Sequence, residues 1–203
     1  MMKDGESFCM ADLIRRASVR KLRLHACGCM RLHTTESIPR KWMRLVETAE
    51  RYADGEVTEK AFAKARQKTN GSDRPRNWGG DIRWAYQTDV ELQSTWTMPL
   101  RDNRTFQPKD SPDYGAALPR YRVFEELIGP DPLPTFSETW RTDTVVSLAR
   151  TMYDAREFSA MPILADALQD AGCDSELILS HCRDANQVHV RGCWVIDLVL
   201  GKA

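Results

Sequence analysis

The histidines and cysteines of this chain are the residues whose types and spacing suggest chemistry, and they fall into two groups. The segment "LHACGCMRLH" at 24–33 holds two histidines and two cysteines. A second group lies near the C-terminus. The two groups are His25, Cys27, Cys29 and His33, and Cys173, His181, Cys182, His189 and Cys193. Imidazole nitrogens and thiolates are common zinc ligands in proteins, so the chemistry that both groups suggest is metal binding.

Helical geometry limits what the first group can do alone. His25, Cys29 and His33 are four residues apart, so they lie along one face of a helix. Cys27 is rotated by roughly 200° from His25, at about 100° per residue. One helix therefore offers three ligands at most, and a tetrahedral zinc ion needs a fourth from elsewhere.

The second group can supply that ligand, because His189 and Cys193 are also four residues apart and share a face if their segment is helical. Two such faces can hold one ion between helices. The alternative is core packing, since neither group has the two-residue cysteine spacing of zinc fingers and buried cysteine is common and usually inert. The residues alone leave both interpretations open.

Familiar catalytic motifs are absent from the sequence. There is no nucleophile elbow, phosphate loop, dinucleotide fingerprint or HExxH motif. Cys182 directly follows His181, but adjacent side chains on a helix diverge by about 100° and make a poor nucleophile–base pair. We therefore expect no enzymatic activity and no small-molecule substrate.

Composition indicates a globular protein. Of the 203 residues, 42% are apolar and 29% are charged, with a formal net charge of zero. This balance argues against global disorder and against wholesale binding to nucleic acid or a membrane surface. No apolar run approaches the roughly 18 residues that span a bilayer, and the N-terminus lacks the apolar stretch of a signal peptide. We expect a cytoplasmic protein without membrane binding, whose cysteines are reduced.

Charge is unevenly distributed along the chain. Nine Lys/Arg and two Asp/Glu lie between 11 and 44, whereas eight Asp/Glu and four Lys/Arg lie between 151 and 203. Either these segments attract each other within one molecule, or the basic segment meets an acidic partner. The second possibility predicts nucleic-acid binding through the phosphate backbone. The candidate contacts are Arg15, Arg16, Arg20, Lys21 and Arg23.

Hydrophobic periodicity predicts a mainly α fold. Asp54-Gly55 and Thr142 are residue types that end and begin helices, respectively. We predict an antiparallel helical bundle or stacked helical hairpins with a long Pro-rich loop insertion. The predicted parts are an N-terminal helical part at 1–70, the insertion at 71–140, and a C-terminal helical part at 141–203 that forms one domain with 1–70. The segment 187–201 is predicted to be either a final helix or a buried strand.

The middle of the chain is rich in proline. Eight of the ten prolines lie between Pro75 and Pro134, and long irregular segments of this kind are typically functional or poorly ordered. Tryptophan is enriched in binding hot spots, so the tryptophans near these prolines are candidate partner contacts. The alternative is that they anchor the loop to the core. They are Trp78, Trp84, Trp96 and Trp140.

Four long motifs carry a family resemblance. They are "RKLRLHACGCMR", "VETAERYADG", "TVVSLARTMYDAREFSAMPILADALQDAGCDSELILSHCRD" and "HVRGCWVIDLVLGK". Together they resemble a paralogous protein family expanded in planctomycete bacteria, over about residues 20 to 60 and 123 to 202. The resemblance implies no particular activity. Its motif positions include Cys27, Cys29, His189 and Cys193, whereas His25 replaces an aromatic residue and Met30 replaces a third cysteine.

These matches narrow the metal hypothesis to a smaller zinc site, with Cys27 or Cys29 joining His189 and Cys193. The stretch "LADALQDAG" also resembles short helical repeats that accompany leucine-rich arrays, which implies an interaction role. The leading hypothesis is a non-catalytic helical protein-interaction module, a subunit or adaptor of a larger assembly that needs no cofactor. The alternatives are a nucleic-acid-binding subunit and a zinc-stabilised structural module.

Overall fold

The structure, a computed structural model, describes residues 16–32, 39–69 and 122–202. Every regular element in these three ranges is a helix, and the ranges contain no β-strand. The predicted mainly α fold class is thereby confirmed. The described part of the chain has no helix that is long and apolar enough to cross a bilayer. Five candidate residues named above and most of the proline-rich insertion lie outside the described residues; the five are Arg15, His33, Trp78, Trp84 and Trp96.

The chain divides into two compact units, Met1–Phe124 and Glu125–Ala203. Within the described residues, each unit has its own cluster of buried apolar side chains. The division into parts at 1–70, 71–140 and 141–203 stays a prediction, because most of the middle part is outside the described residues.

The first unit contains three described helices in which α2 packs against both of the others. They are α1 (Val19–Leu32), α2 (Arg40–Ala53) and α3 (Glu59–Gln67). One face of α2 is apolar at helical spacing and is buried, which explains why this segment is helical and where it packs. The residues of that face are Trp42, Leu45, Val46 and Ala49. Helix α3 begins after Thr58, whose hydroxyl accepts the Ala61 N–H.

The second unit begins with helical residues 125–128 and continues through an irregular segment to a 3-10 turn at Glu138–Trp140. Its longer elements are α4 (Asp143–Ala155), α5 (Met161–Asp170), α6 (Glu176–Arg183) and α7 (Trp194–Leu200). Helix α5 packs against α6, and α4 packs against α5 and α7. Helix α4 begins where the sequence predicted, because the Thr142 hydroxyl accepts the Val145 N–H.

Arg141 fixes the C-terminal end of α7. Its guanidinium donates hydrogen bonds to the carbonyl oxygens of Leu198 at 2.8 Å and Val199 at 3.1 Å. The last carbonyls of a helix have no partner within the helix, so these bonds satisfy two of them. Gly201 then ends the helix in the left-handed conformation, with φ of 64°.

Of the two predictions for the segment 187–201, the final helix is correct only for its second half, and no strand forms there. Residues 187–190 have no regular structure, a turn follows, and only Trp194–Leu200 is helical. The interruption is explained by Gly192, whose φ of 95° is outside the helical region. His189 and Cys193 therefore do not share a helical face, as a continuous helix would have required.

Candidate metal centre

Four side chains of the second unit converge on one buried point. They are Glu126 from the helical residues 125–128, His181 from α6, His189 from the irregular segment, and Cys193, which is the N-cap residue of α7. One possible ligand atom from each lies within 4.8 Å of all the others. We call these four residues the His–Cys–Glu cluster.

Two tight turns bring the C-terminal members of the cluster into place. After α6 ends, the Asp184 carboxylate accepts the Asn186 N–H at 2.9 Å, and the Asp184 carbonyl accepts the Gln187 N–H at 3.1 Å. The Val190 carbonyl then accepts the Cys193 N–H at 2.9 Å, which closes a turn around Gly192. The chain thus folds back on α6, so that His189 and Cys193 meet His181.

The distances within the cluster are those of near neighbours. His181 Nε2 lies 3.3 Å from Glu126 Oε2 and 3.4 Å from Cys193 Sγ. His189 Nδ1 lies 2.9 Å from Glu126 Oε1. In a tetrahedral zinc site with bonds of about 2.0–2.3 Å, neighbouring ligand atoms are roughly 3.3–3.6 Å apart. The two separations from His181 already match that geometry.

Burial of the cluster is nearly complete. The exposed fraction of the side chain is 0% for Glu126, 8% for His189 and 12% for His181, and Cys193 is fully buried. A buried carboxylate needs compensating partners. The partners of Glu126 include both imidazoles and Gln187, whose Nε2 donates to Oε2 at 2.9 Å.

These partners control the protonation of Glu126. Burial, the largest influence, would raise the pKa of its carboxyl. Hydrogen bonds from His181 and His189, together with the electrostatic influence of both rings, outweigh burial and lower the pKa to about 2. Glu126 is therefore a carboxylate at neutral pH, which is the form that binds cations.

The pKa values of the neighbouring thiols shift in the opposite direction, upwards. Burial, and then the negative charge of Glu126, raises the pKa of Cys193 well above its usual value. The same two causes raise the pKa of Cys182 to about 12. The Cys193 thiol therefore keeps its proton unless a cation displaces it, and a coordinated metal ion does displace such protons.

Trp194 fixes the tautomer of His181. Its indole Nε1–H donates to His181 Nδ1 at 3.2 Å. The indole nitrogen is a donor only, so Nδ1 must present its lone pair, and the ring proton of the neutral imidazole is on Nε2. That Nε2–H points at Glu126 and Cys193. The same four side chains can therefore form a complete hydrogen-bond network or surround a cation.

The sequence-predicted ligands are found in both units. His189 and Cys193 belong to the His–Cys–Glu cluster, whereas Cys27 and Cys29 lie on α1 in the first unit. Cys29 Sγ is 3.4 Å from His25 Nε2, and the Cys27 thiol donates to the Val46 carbonyl at 3.8 Å. The predicted zinc site, in which Cys27 or Cys29 joins His189 and Cys193, stays a prediction.

Sequence reasoning missed two members of the cluster as ligands. His181 belonged to the second His/Cys group, so its residue type was a signal. Glu126, in "VFEELIG", had no spacing relation to any histidine and is 55 residues before His181. Only the tertiary fold of the second unit shows that it belongs to the site.

One of the predicted nucleic-acid contacts, Arg23, is buried in the structure. Arg23 is only 1% exposed, and its guanidinium lies over the rings of Tyr52 at 5.1 Å and Phe62 at 4.9 Å. Cation–π contact within the first unit therefore occupies the group that was predicted to contact phosphate. Arg20 donates to the Asp54 carboxylate at 2.9 Å. Arg16 is exposed and Lys21 is half-buried.

Trp140 is the one described member of the predicted partner-binding tryptophans. It is half-buried and packs edge-on against Phe136, with ring centroids 5.3 Å apart. Both rings pack against the core of the second unit. This placement agrees with the alternative that tryptophan anchors the irregular segment, and partner binding by Trp140 stays a prediction.

Comparison with known proteins adds no function. No family model matches the chain, and neither does any curated protein or solved structure. The resemblance to planctomycete paralogues thus stays an expectation from the sequence motifs. What bears on function is the geometry of the His–Cys–Glu cluster.

Proposed function

We propose that the second unit is a zinc-stabilised structural module in which the His–Cys–Glu cluster coordinates one ion. The observation that carries this proposal is the convergence of four ligand atoms within 4.8 Å of one another. Two imidazoles, one thiolate and one carboxylate are a donor set that tetrahedral zinc accepts. The anionic Glu126 and a deprotonated Cys193 would neutralise the charge of a divalent ion.

The donor set distinguishes zinc from the other divalent ions that histidine and carboxylate bind. Two histidines and one carboxylate with open positions are typical of non-haem Fe(II). Here Cys193 adds a soft sulfur ligand and completes a set of four protein ligands, which favours zinc. Catalytic zinc sites keep one position for water. Four buried protein ligands leave none, and this supports a structural role.

Zinc would connect parts of the second unit that are separate in sequence. The ligands come from residues 125–128, from α6, and from both sides of the turn before α7. The backbone of the irregular segment between α6 and α7 is held by turn hydrogen bonds at Gln187 and Cys193, and coordination at His189 and Cys193 would fix it further. Metal-binding free energy adds directly to folding free energy when the unfolded chain lacks the site.

This proposal is compatible with the leading sequence-based hypothesis of a non-catalytic interaction module, since a closed structural centre provides no reaction. The nucleic-acid alternative stays a prediction and loses Arg23 as a contact. A salt titration against duplex and single-stranded DNA tests it, because phosphate binding weakens steeply with salt. Absence of binding at low salt would exclude it.

Zinc titration of the full chain tests the proposal. Protein treated with chelator and dialysed is titrated with ZnCl₂ in competition with a chromophoric chelator. We expect one zinc ion per chain, with affinity lowered at least about 100-fold by Cys193→Ser, because even outer-shell changes cost about 10–100-fold. Cys173→Ser is the matched control, since Cys173 is buried in the same core but is not in the cluster. The proposal is wrong if wild-type protein binds no zinc, or if both serine variants bind it equally.

A further inference from the structure

We infer that Trp194 acts as a latch on the cluster: its hydrogen bond to His181 and zinc coordination by His181 exclude each other, so zinc binding must release the indole. The inference rests on the proposed zinc site and deepens it by identifying the residue that regulates its occupancy. Trp194 is not itself a ligand, because its nitrogen has no available lone pair.

The hydrogen bond from Trp194 determines which nitrogen of His181 carries the lone pair. A neutral imidazole has one N–H donor and one acceptor nitrogen. Trp194 Nε1–H takes the acceptor at Nδ1 at 3.2 Å, so the proton is on Nε2. This ring orientation uses both nitrogens, because Nε2 lies 3.3 Å from the carboxylate of Glu126.

Zinc requires a free lone pair on the imidazole nitrogen that it binds. The nitrogen of His181 that faces Cys193 and Glu126 is Nε2, so it is Nε2 that would bind zinc. Coordination needs the lone pair there, which moves the ring proton to Nδ1. The resulting Nδ1–H would face the indole N–H, and two donors cannot share a hydrogen bond. Because zinc would hold the imidazole through Nε2, the indole is the group that must turn away.

The proton balance of this step is simple. Zinc binding releases one proton to solvent from the Cys193 thiol as the zinc–sulfur bond forms. The ring proton of His181 is transferred through solvent from Nε2 to Nδ1. The ring proton of His189, whose Nδ1 lies 2.9 Å from Glu126 Oε1, is transferred from Nδ1 to Nε2, so neither ring gains or loses a proton. No electron is transferred. The net charge of the cluster changes because the divalent ion adds its charge and the one released proton removes its own.

The indole of Trp194 is tightly surrounded. Trp194 is 5% exposed, and its ring centroid is 4.9 Å from that of His181. It packs on Gly129 so closely that a Cβ atom there would lie 2.7 Å from Trp194 Cγ and 2.8 Å from Leu133 Cδ2. An indole that turns away from His181 must therefore move against residues 129–133. Zinc binding should be transmitted to this segment, where Leu133 is exposed.

The experiment compares two tryptophan variants of the full chain. Trp194→Phe keeps an aromatic ring but removes the N–H, so zinc no longer has to break the bond. A typical hydrogen bond of this kind predicts about fivefold tighter zinc binding than wild type. Trp140→Phe is the matched control, because Trp140 packs against the same core but contacts Phe136 and not the cluster. Its zinc affinity should equal that of wild type.

A second measurement needs only the wild-type chain. Long-range ¹H–¹⁵N spectra report which imidazole nitrogen bears the proton, and indole N–H signals report the environment of each tryptophan. Zinc addition should convert His181 from the Nε2–H to the Nδ1–H form and His189 in the opposite direction. It should also shift one indole signal, the one absent in Trp194→Phe. This result, with the fivefold difference, supports the latch.

The outcomes separate the latch from the zinc site. If zinc binds in a Cys193-dependent way while the His181 tautomer and the indole signal stay unchanged and Trp194→Phe binds no tighter, the latch is wrong and the zinc site stands. If wild-type protein binds no zinc at all, both the proposed function and the latch are overturned.

Discussion

Replacing Glu126 by glutamine tests how strongly the cluster stabilises the second unit. The carboxylate is fully buried and accepts hydrogen bonds from His181, His189 and Gln187. Its pKa is lowered from 4.5 to about 2, and each pKa unit corresponds to about 1.4 kcal/mol. At neutral pH, where the carboxyl is ionised in both states, its ionised form therefore contributes about 3 kcal/mol to the free energy of unfolding. Glutamine keeps the shape but loses this charge.

We expect Glu126→Gln to lower the free energy of unfolding by about 3 kcal/mol, measured by urea unfolding of the full chain with chelator present. Because the folded pKa is depressed, the contribution is complete above about pH 4.5 and is lost as pH falls through about 2. The difference between wild type and Glu126→Gln should thus narrow as pH falls below 4.5. The control is Glu176→Gln, an exposed residue at the start of α6, which should cost less than about 1 kcal/mol. Equal effects of the two variants would refute the reasoning.

Two further predictions concern backbone packing and thiol reactivity. Gly129→Ala should lower the melting temperature and cost more than about 1 kcal/mol, because φ is +70° and the new Cβ would meet Trp194; an unchanged melting curve would contradict the close approach. In a Cys9→Ser background, a thiol reagent such as DTNB should react slowly with the native chain and rapidly after denaturation. All five other cysteines are buried, and burial raises the pKa of Cys27, Cys182 and Cys193. Fast stoichiometric labelling of native protein would contradict this.

The helical fold was predictable because local signals and tertiary packing agree. The apolar face of α2 repeats at 3.6 residues, and Thr142 caps α4 as its residue type predicted. The C-terminal segment was harder. Its β-branched content left strand and helix open, and the deciding feature was the positive φ of Gly192, which splits the segment into a turn and a short helix.

Only part of the candidate site was predictable from the sequence, and the reason given for pairing two of its residues was wrong. His189 and Cys193 were paired on the assumption of a helical face, but a turn brings them together. Glu126 could not be found from spacing, because its relation to His181 arises from tertiary packing. The prediction for Arg23 failed for a different reason. The number of basic residues in its segment indicated an exposed contact, whereas the fold buries Arg23 against two aromatic rings.

X-ray absorption at the zinc edge of zinc-loaded full chain measures the proposed coordination most directly. The account predicts a four-coordinate ion with one sulfur at about 2.3 Å and three nitrogen or oxygen ligands at about 2.0–2.2 Å. The sulfur contribution should disappear in Cys193→Ser and persist in Cys173→Ser. A spectrum without sulfur, with six oxygen or nitrogen ligands, or with a sulfur that survives Cys193→Ser would contradict a centre built from Glu126, His181, His189 and Cys193.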